Sequence, residues 1–328
     1  MKVDESTSRR VDEESRGFLA WTRRVLSSTR RLVGSSTPSL REPVRRRVRD
    51  LELVSSRLIR AGFAGDYHSA FHGRGIEFSQ VREYQPGDDI RTIDWNVTAR
   101  SGVPHVKQFI EERDLTVIIA IDLSGSMAFG SVDWRKCDLA AELASVFAFS
   151  AVENADRAGL LLFSREKRTF IPPNRGRAHA QRIVHAAVDA AMRGPSGPGD
   201  FVEAVRFLER VAVKKAVVLL LSDFLEPGFE KPLSRLNRRH DIVALPIVDP
   251  REERFTGSGL ARLRDLETGD ARLVSLSRTD IPRRAAQRRE QLERTFRSAA
   301  VDHLFVSTVV PYDRELLRFF RERSLRRR

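Results

Sequence analysis

From Leu115 onward the chain alternates short, continuous apolar runs with longer segments of helical period. Leu115 to Ile121, Arg157 to Ser164, Ala216 to Ser222 and Ile242 to Val248 read as buried strands, and Arg168 to Ile171 is expected to pair beside the second of them. Asp138 to Val152 is an almost wholly apolar helix, the pattern of one packed flat on a sheet. Arg177 to Met192 and Phe201 to Val211 are further helices, with Asp200 placed as N-cap of the second. Leu263 to Val274 reads as a hairpin turning at Thr268-Gly269-Asp270. A basic helix follows from Arg283 to Ser298, then a last strand from Asp302 to Val310 and a last helix from Asp313 to Arg323. Buried strands alternating with helices predict an α/β, Rossmann-like fold, a mostly parallel sheet with helices on both faces.

The first third has a different texture. On a helix of about 100° per residue, Phe18, Leu19, Trp21, Val25, Leu26, Leu32 and Val33 share one face, and Arg16, Arg23, Arg24, Arg30 and Arg31 the other. Residues 16–33 are therefore expected to form a basic amphipathic helix, docked on the protein's own core or a partner, or touching a membrane surface peripherally. Ser35 to Pro38 breaks the pattern, and a second helix is expected from Ser39 to Arg60. From Gly62 to Gln108 glycines, aromatics and charges mix without a lasting period, which predicts short strands and turns, one of them at Gln85-Pro86-Gly87-Asp88. The expected organisation is a basic extension (1–36), a helix with a smaller irregular β-rich module (37–112) and the α/β domain (113–328).

Composition narrows the setting. Of 328 residues 41% are hydrophobic and 31% charged, a globular balance. No run of eighteen apolar residues suggests a membrane span, and no apolar leader is visible near Met1. A single cysteine, Cys137, excludes an intrachain disulfide framework, so a reducing, cytoplasmic setting is the default. The net charge is +13, but 51 of the 58 basic residues are arginine, a bias that genome composition also produces. Few aromatics interleave with those arginines, so nucleic acid is not expected as the partner.

Chemistry is sought at the carboxyl ends of the strands, where open α/β sheets bind ligands. Asp122-Leu123-Ser124-Gly125-Ser126 follows the first strand, Ser222-Asp223 the third and Asp249 the fourth. Two carboxylates flanked by hydroxyls suit a hard divalent cation, Mg2+ or else Mn2+ or Ca2+. The same residues also suit plain capping of the turn and helix that follow.

This Asp-x-Ser-x-Ser string after a first strand resembles the metal-ion-dependent adhesion site of von Willebrand factor A-like domains, with Asp122, Ser124, Ser126 and Asp223 at matching positions. The segment before it resembles a narrower bacterial family, domain-of-unknown-function family fifty-eight. It carries Gly73-Arg74-Gly75-Ile76-Glu77-Phe78, then Val81-Arg82-Glu83-Tyr84, then the run from Pro86 to Asn96, followed by Thr98-Ala99-Arg100 and Glu111-Glu112-Arg113. The resemblance implies a von Willebrand factor A-like domain. It also implies a protein partner, MoxR-type AAA+ ATPases, with a role in assembling or activating other complexes. In the adhesion site a threonine before a helix completes the ligand set. Here Gly197-Pro198-Gly199-Asp200 occupies that place, so Gly199 brings no side-chain oxygen, and Asp200 is a doubtful substitute.

Arg82, Asp88, Asp89, Arg91, Asp94, Trp95 and Arg100 are the other family-motif positions. They are expected to form a charged network that holds the irregular module against the sheet, or to meet a partner; the enzyme alternative makes them acids and an anion clamp. No phosphate-binding glycine loop or His-Glu-x-x-His motif is present. Cys137 at a helix start is a nucleophile candidate only if it lies outside the core. The leading expectation is a non-enzymatic interaction module, adaptor to an AAA+ ATPase and an unknown client. The alternatives are a membrane-surface or nucleic-acid adaptor and a metal-dependent hydrolase.

Overall fold

The computed structural model describes residues 41–71, 76–111, 115–131, 134–166, 168–212, 214–254, 259–275 and 280–326. The amphipathic segment 16–33 lies outside them. Helices α1 (Arg41–Arg60) and α2 (Phe63–Phe71) come first. Strand β1 (Ile76–Glu83), a single 3-10 turn (Ile90–Thr92), α3 (Trp95–Ser101) and β2 (His105–Glu111) follow. The region from Gly62 to Gln108 is thus more helical than its sequence texture predicts. In α2 the reason is tertiary: Phe63, Tyr67, Ala70 and Phe71 form a short stripe that is buried, and packing overrides weak local propensity.

The sheet is built by β3 (Thr116–Asp122), α4 (Lys136–Glu153), β4 (Arg157–Phe163), β5 (Arg168–Asn174), α5 (Arg177–Arg193) and α6 (Phe201–Val211). It is completed by β6 (Val217–Ser222), α7 (Glu230–Asn237), β7 (Asp241–Val248) and a short helix α8 (Pro250–Glu253). The expected hairpin is β8 (Leu260–Arg264) with β9 (Ala271–Ser275), paired antiparallel. Helix α9 (Ile281–Ser298), strands β10 (Asp302–His303) and β11 (Val306–Ser307) and helix α10 (Asp313–Arg326) follow. The strand expected from Asp302 to Val310 is two short pieces, both paired with β7.

The strand order is β10-β7-β6-β3-β4-β5, parallel except for the edge strand β5. Alternation along the strands divides the core. Val117, Ile119 and Ile121 of β3 and Val217, Leu219 and Leu221 of β6 point to one face. Ile118 and Ala120, with Val218 and Leu220, point to the other. The first face is covered by α4 and α5, and α1, α2 and α10 belong to the same core. This extra layer explains why α4 is apolar nearly all round: Ser145 on it meets Ser55 of α1 at 2.9 Å, oxygen to oxygen, and both are buried. Phe63, Tyr67, Phe71, Phe147 and Phe320 pack ring to ring at centroid distances of 5.0–6.4 Å, joining α2 and α10 to α4. Arg323 of α10 is buried and donates to Asp302 at 2.8 Å and to Asp241, tying the last helix to the sheet. Helices α6, α7 and α9 cover the second face.

From β3 the chain moves to β4 on one side and returns to β6 on the other. The carboxyl ends of β3 and β6 therefore border the crevice where strand order reverses, the usual ligand position of an open α/β sheet.

Candidate functional site

The register of β3 and β6 pairs Ile121 with Leu221, so Asp122 and Ser222 leave the sheet side by side. Ser222 Oγ donates to Asp122 Oδ2 at 2.7 Å, and the Ser124 amide donates to Asp122 Oδ1 at 2.8 Å. Ser124 Oγ and Ser126 Oγ are 3.1 Å apart, and the Asp223 carboxylate is near enough for its charge to act on Asp122. The four adhesion-site positions Asp122, Ser124, Ser126 and Asp223 are thus drawn together, all nearly inaccessible.

Glycine is required inside this loop. The Gly125 amide donates to the Gly197 carbonyl at 2.8 Å, and a Cβ on Gly125 would stand 2.3 Å from the carbonyl oxygen of Leu266, in the turn of the β8–β9 hairpin. Three loops, ending at Ser126, Gly199 and Leu266, therefore close on one another at the strand ends.

Charge is unevenly compensated. Burial, with the neighbouring Asp223 charge, pushes the Asp122 carboxyl up to about 7. Asp223 is different. Burial opposes its ionisation, but Lys136 and Arg288 more than offset this and hold its carboxyl below the usual range. Lys136 Nζ, with 0% exposure, donates to Asp223 Oδ2 and Glu252 Oε1, each at 2.6 Å. Burial pulls that lysine's pKa down, but the Asp223 and Glu252 carboxylates more than offset this and raise it. The half-buried Arg288 donates from its guanidinium to the Asp223 carbonyl. Sequence reasoning missed Lys136, Glu252 and Arg288, for they sit in helices whose local pattern says nothing about the rim.

The other predicted positions fall elsewhere. Asp200 caps α6, accepting from the Glu203 amide at 3.1 Å. Asp249 accepts from the Arg251 and Ser131 amides and from Thr308 Oγ1, which makes it an anchor between loops. Arg82 grips Asp88 with two hydrogen bonds at 2.8 and 2.6 Å. Asp89 caps the 3-10 turn and Asp94 caps α3. The charged network expected to pin this module to the sheet thus makes these bonds within residues 82–97, folding the module's own turns. Arg91, Arg100 and Trp95 are exposed, Trp95 to 67%. Cys137 is buried, and burial pushes its thiol up to about 12, the opposite of an activated nucleophile.

The donor set of Asp122, Ser124 and Ser126 is all oxygen, and the buried Asp122 carboxyl has hydrogen-bond donors but no cationic side chain paired with it among the described residues. Both properties fit a hard divalent cation. Asp223 stands behind them, its charge already met by Lys136. Among the described residues no three His, Cys, Asp or Glu side chains gather to hold a metal. Among the described residues no helix is long and apolar enough to cross a membrane.

Comparison with known proteins places residues 80–295 under the family model described as "Protein of unknown function DUF58". The uncharacterized protein Rv1480 of Mycobacterium tuberculosis (strain H37Rv) is 32% identical over 281 residues, 84% of this chain and 88% of the relative. The uncharacterized protein YeaD of Bacillus subtilis is 29% identical over 111 residues, 34% of this chain and 26% of its own length. Among solved structures the fold is similar to the conserved hypothetical protein BatB from Bacteroides thetaiotaomicron, at 15% identity, covering 64% of this chain and 99% of that one, TM-score 0.40. It is also similar to the SpRpn10 VWA domain, at 13% identity, covering 62% and 93%, TM-score 0.35. The chain belongs to the DUF58 family.

Proposed function

We propose that this protein is a non-enzymatic protein-interaction module whose rim holds a divalent cation, and that it is an adaptor of a MoxR-type AAA+ ATPase. The observation that carries the reading is the meeting of Asp122, Ser124 and Ser126 at the strand-order reversal, with the Asp122 charge left uncompensated. Asp122, Ser124 and Ser126 would hold the ion. Magnesium prefers about six oxygen ligands, so three side chains leave its shell incomplete. A cation held there would supply open coordination positions suited to a partner's carboxylate. The chain's own residues do the rest. Ser222 and the Ser124 amide fix the orientation of Asp122, and Gly125 lets the hairpin close against the loop. Lys136 pairs with Asp223, so that carboxylate is already engaged and is not free to hold the ion. The buried, high-pKa Cys137 speaks against covalent chemistry at this rim.

The test is affinity capture from the source cell with wild type and Asp122→Ala, in Mg2+ and in chelator. Wild type in Mg2+ should capture a MoxR-type AAA+ ATPase, and both Asp122→Ala and chelator should abolish the capture. Equal capture in all conditions would remove the cation bridge, and absence of any such ATPase would remove the partner.

A further inference from the structure

Gly199 stands where the resembling adhesion site has a threonine, and its φ does not lie in the left-handed region, so the backbone does not demand glycine there. Space does. A Cβ on Gly199 would stand 3.0 Å from Glu226 Oε2, 3.4 Å from Ser124 Cβ and 3.9 Å from Asp122 Oδ1. One point at the rim is therefore surrounded by the Glu226 carboxylate and by two residues of the Asp-x-Ser-x-Ser loop. The Glu226 carboxylate borders the volume that a side chain at 199 would fill.

Glu226 is half-buried and is steadied by the Phe201 amide, which donates to Oε2 at 2.7 Å. Among the described residues no lysine or arginine is paired with it. We infer that Glu226 supplies the oxygen ligand that the missing threonine would have given, making a cation site of Asp122, Ser124, Ser126 and Glu226. The inference rests on the cation reading above. Lys136 is paired with Asp223 and Glu252, and among the described residues neither Asp122 nor Glu226 forms an ion pair. The competing role for Glu226 is purely structural, as a cap on the first amide of α6.

Calorimetric titration with MnCl2, checked by the electron paramagnetic resonance signal of free Mn2+, separates these roles in the full-length protein. Wild type should bind one Mn2+. Glu226→Gln keeps a carbonyl oxygen for the Phe201 amide, so its melting temperature should be unchanged, while Mn2+ affinity falls at least about tenfold. The exchange variant Gly199→Thr with Glu226→Ala returns a hydroxyl and removes the clash, and should recover most of that affinity. If Glu226→Gln binds Mn2+ as tightly as wild type while Asp122→Ala does not bind, Glu226 is only a cap and the cation reading stands without it. If wild type binds no Mn2+, both fall.

Discussion

The Lys136 ammonium lies 2.6 Å from the Asp223 carboxylate, and neither is reached by solvent. A buried pair of this kind is costly to break, for removal of one partner leaves the other's charge stranded. Lys136 serves two such partners, Asp223 from the end of β6 and Glu252 from α8.

Lys136→Met should therefore lower stability by about 3–5 kcal/mol, read from urea denaturation. A loss below about 1 kcal/mol, the usual cost of an exposed pair, would mean that the lysine does not organise this corner of the sheet.

Asp122 imposes a pH dependence of definite sign. Its folded-state pKa, about 7, exceeds the ordinary value of 3.8, so the folded chain holds this proton more tightly than the unfolded chain. The corresponding stability is complete below about pH 4 and is lost as pH rises through about 7. The Asp223 charge acts with burial to raise it, the Ser222 hydroxyl and Ser124 amide oppose the rise, and the raised Glu252 nearby contributes to the pH dependence with the same sign. In chelator, the advantage of Asp122→Asn over wild type should grow from pH 4 to pH 7.5. A difference in unfolding free energy that stays flat across that range would contradict the uncompensated charge.

Helix α2 belongs to the main core through Phe63, which is fully buried against Phe147 and Phe320. Phe63→Ala should cost about 3–5 kcal/mol and shift one cooperative transition as a whole. A separate, earlier transition confined to the first helices would show that they fold apart from the sheet.

Trp95 is the reverse case. It is exposed, although it sits in the densest stretch of family motif. Trp95→Ala should change stability by no more than about 0.5 kcal/mol. A larger loss would show that the ring supports the module's fold rather than meeting something outside it.

The sheet was legible because apolar runs such as Val117 to Ile121 and Val217 to Leu221 stop at polar residues that mark the rim. Local order in the strands thus carried Asp122 and Asp223 to the same edge. Helix α2 was hidden because its nine residues include Gly65 and depend on rings from α4 and α10. Lys136 and Glu252 were hidden for a longer-range reason: they meet across 116 positions, and only the packed fold brings them together. From the sequence, the glycine at 199 signals only a missing ligand. Its neighbour in space, Glu226, follows Asp223 by three positions and carried no signal of its own.

The most direct measurement is an anomalous difference map from crystals of the full-length protein soaked in MnCl2. One peak is expected at the rim, about 2–2.5 Å from oxygens of Asp122, Ser124 and Ser126, the span of hard-cation bonds, and it should vanish in Asp122→Ala. A map with no peak there, or with Mn2+ bound only at other carboxylates, would contradict the cation site on which the proposed function rests.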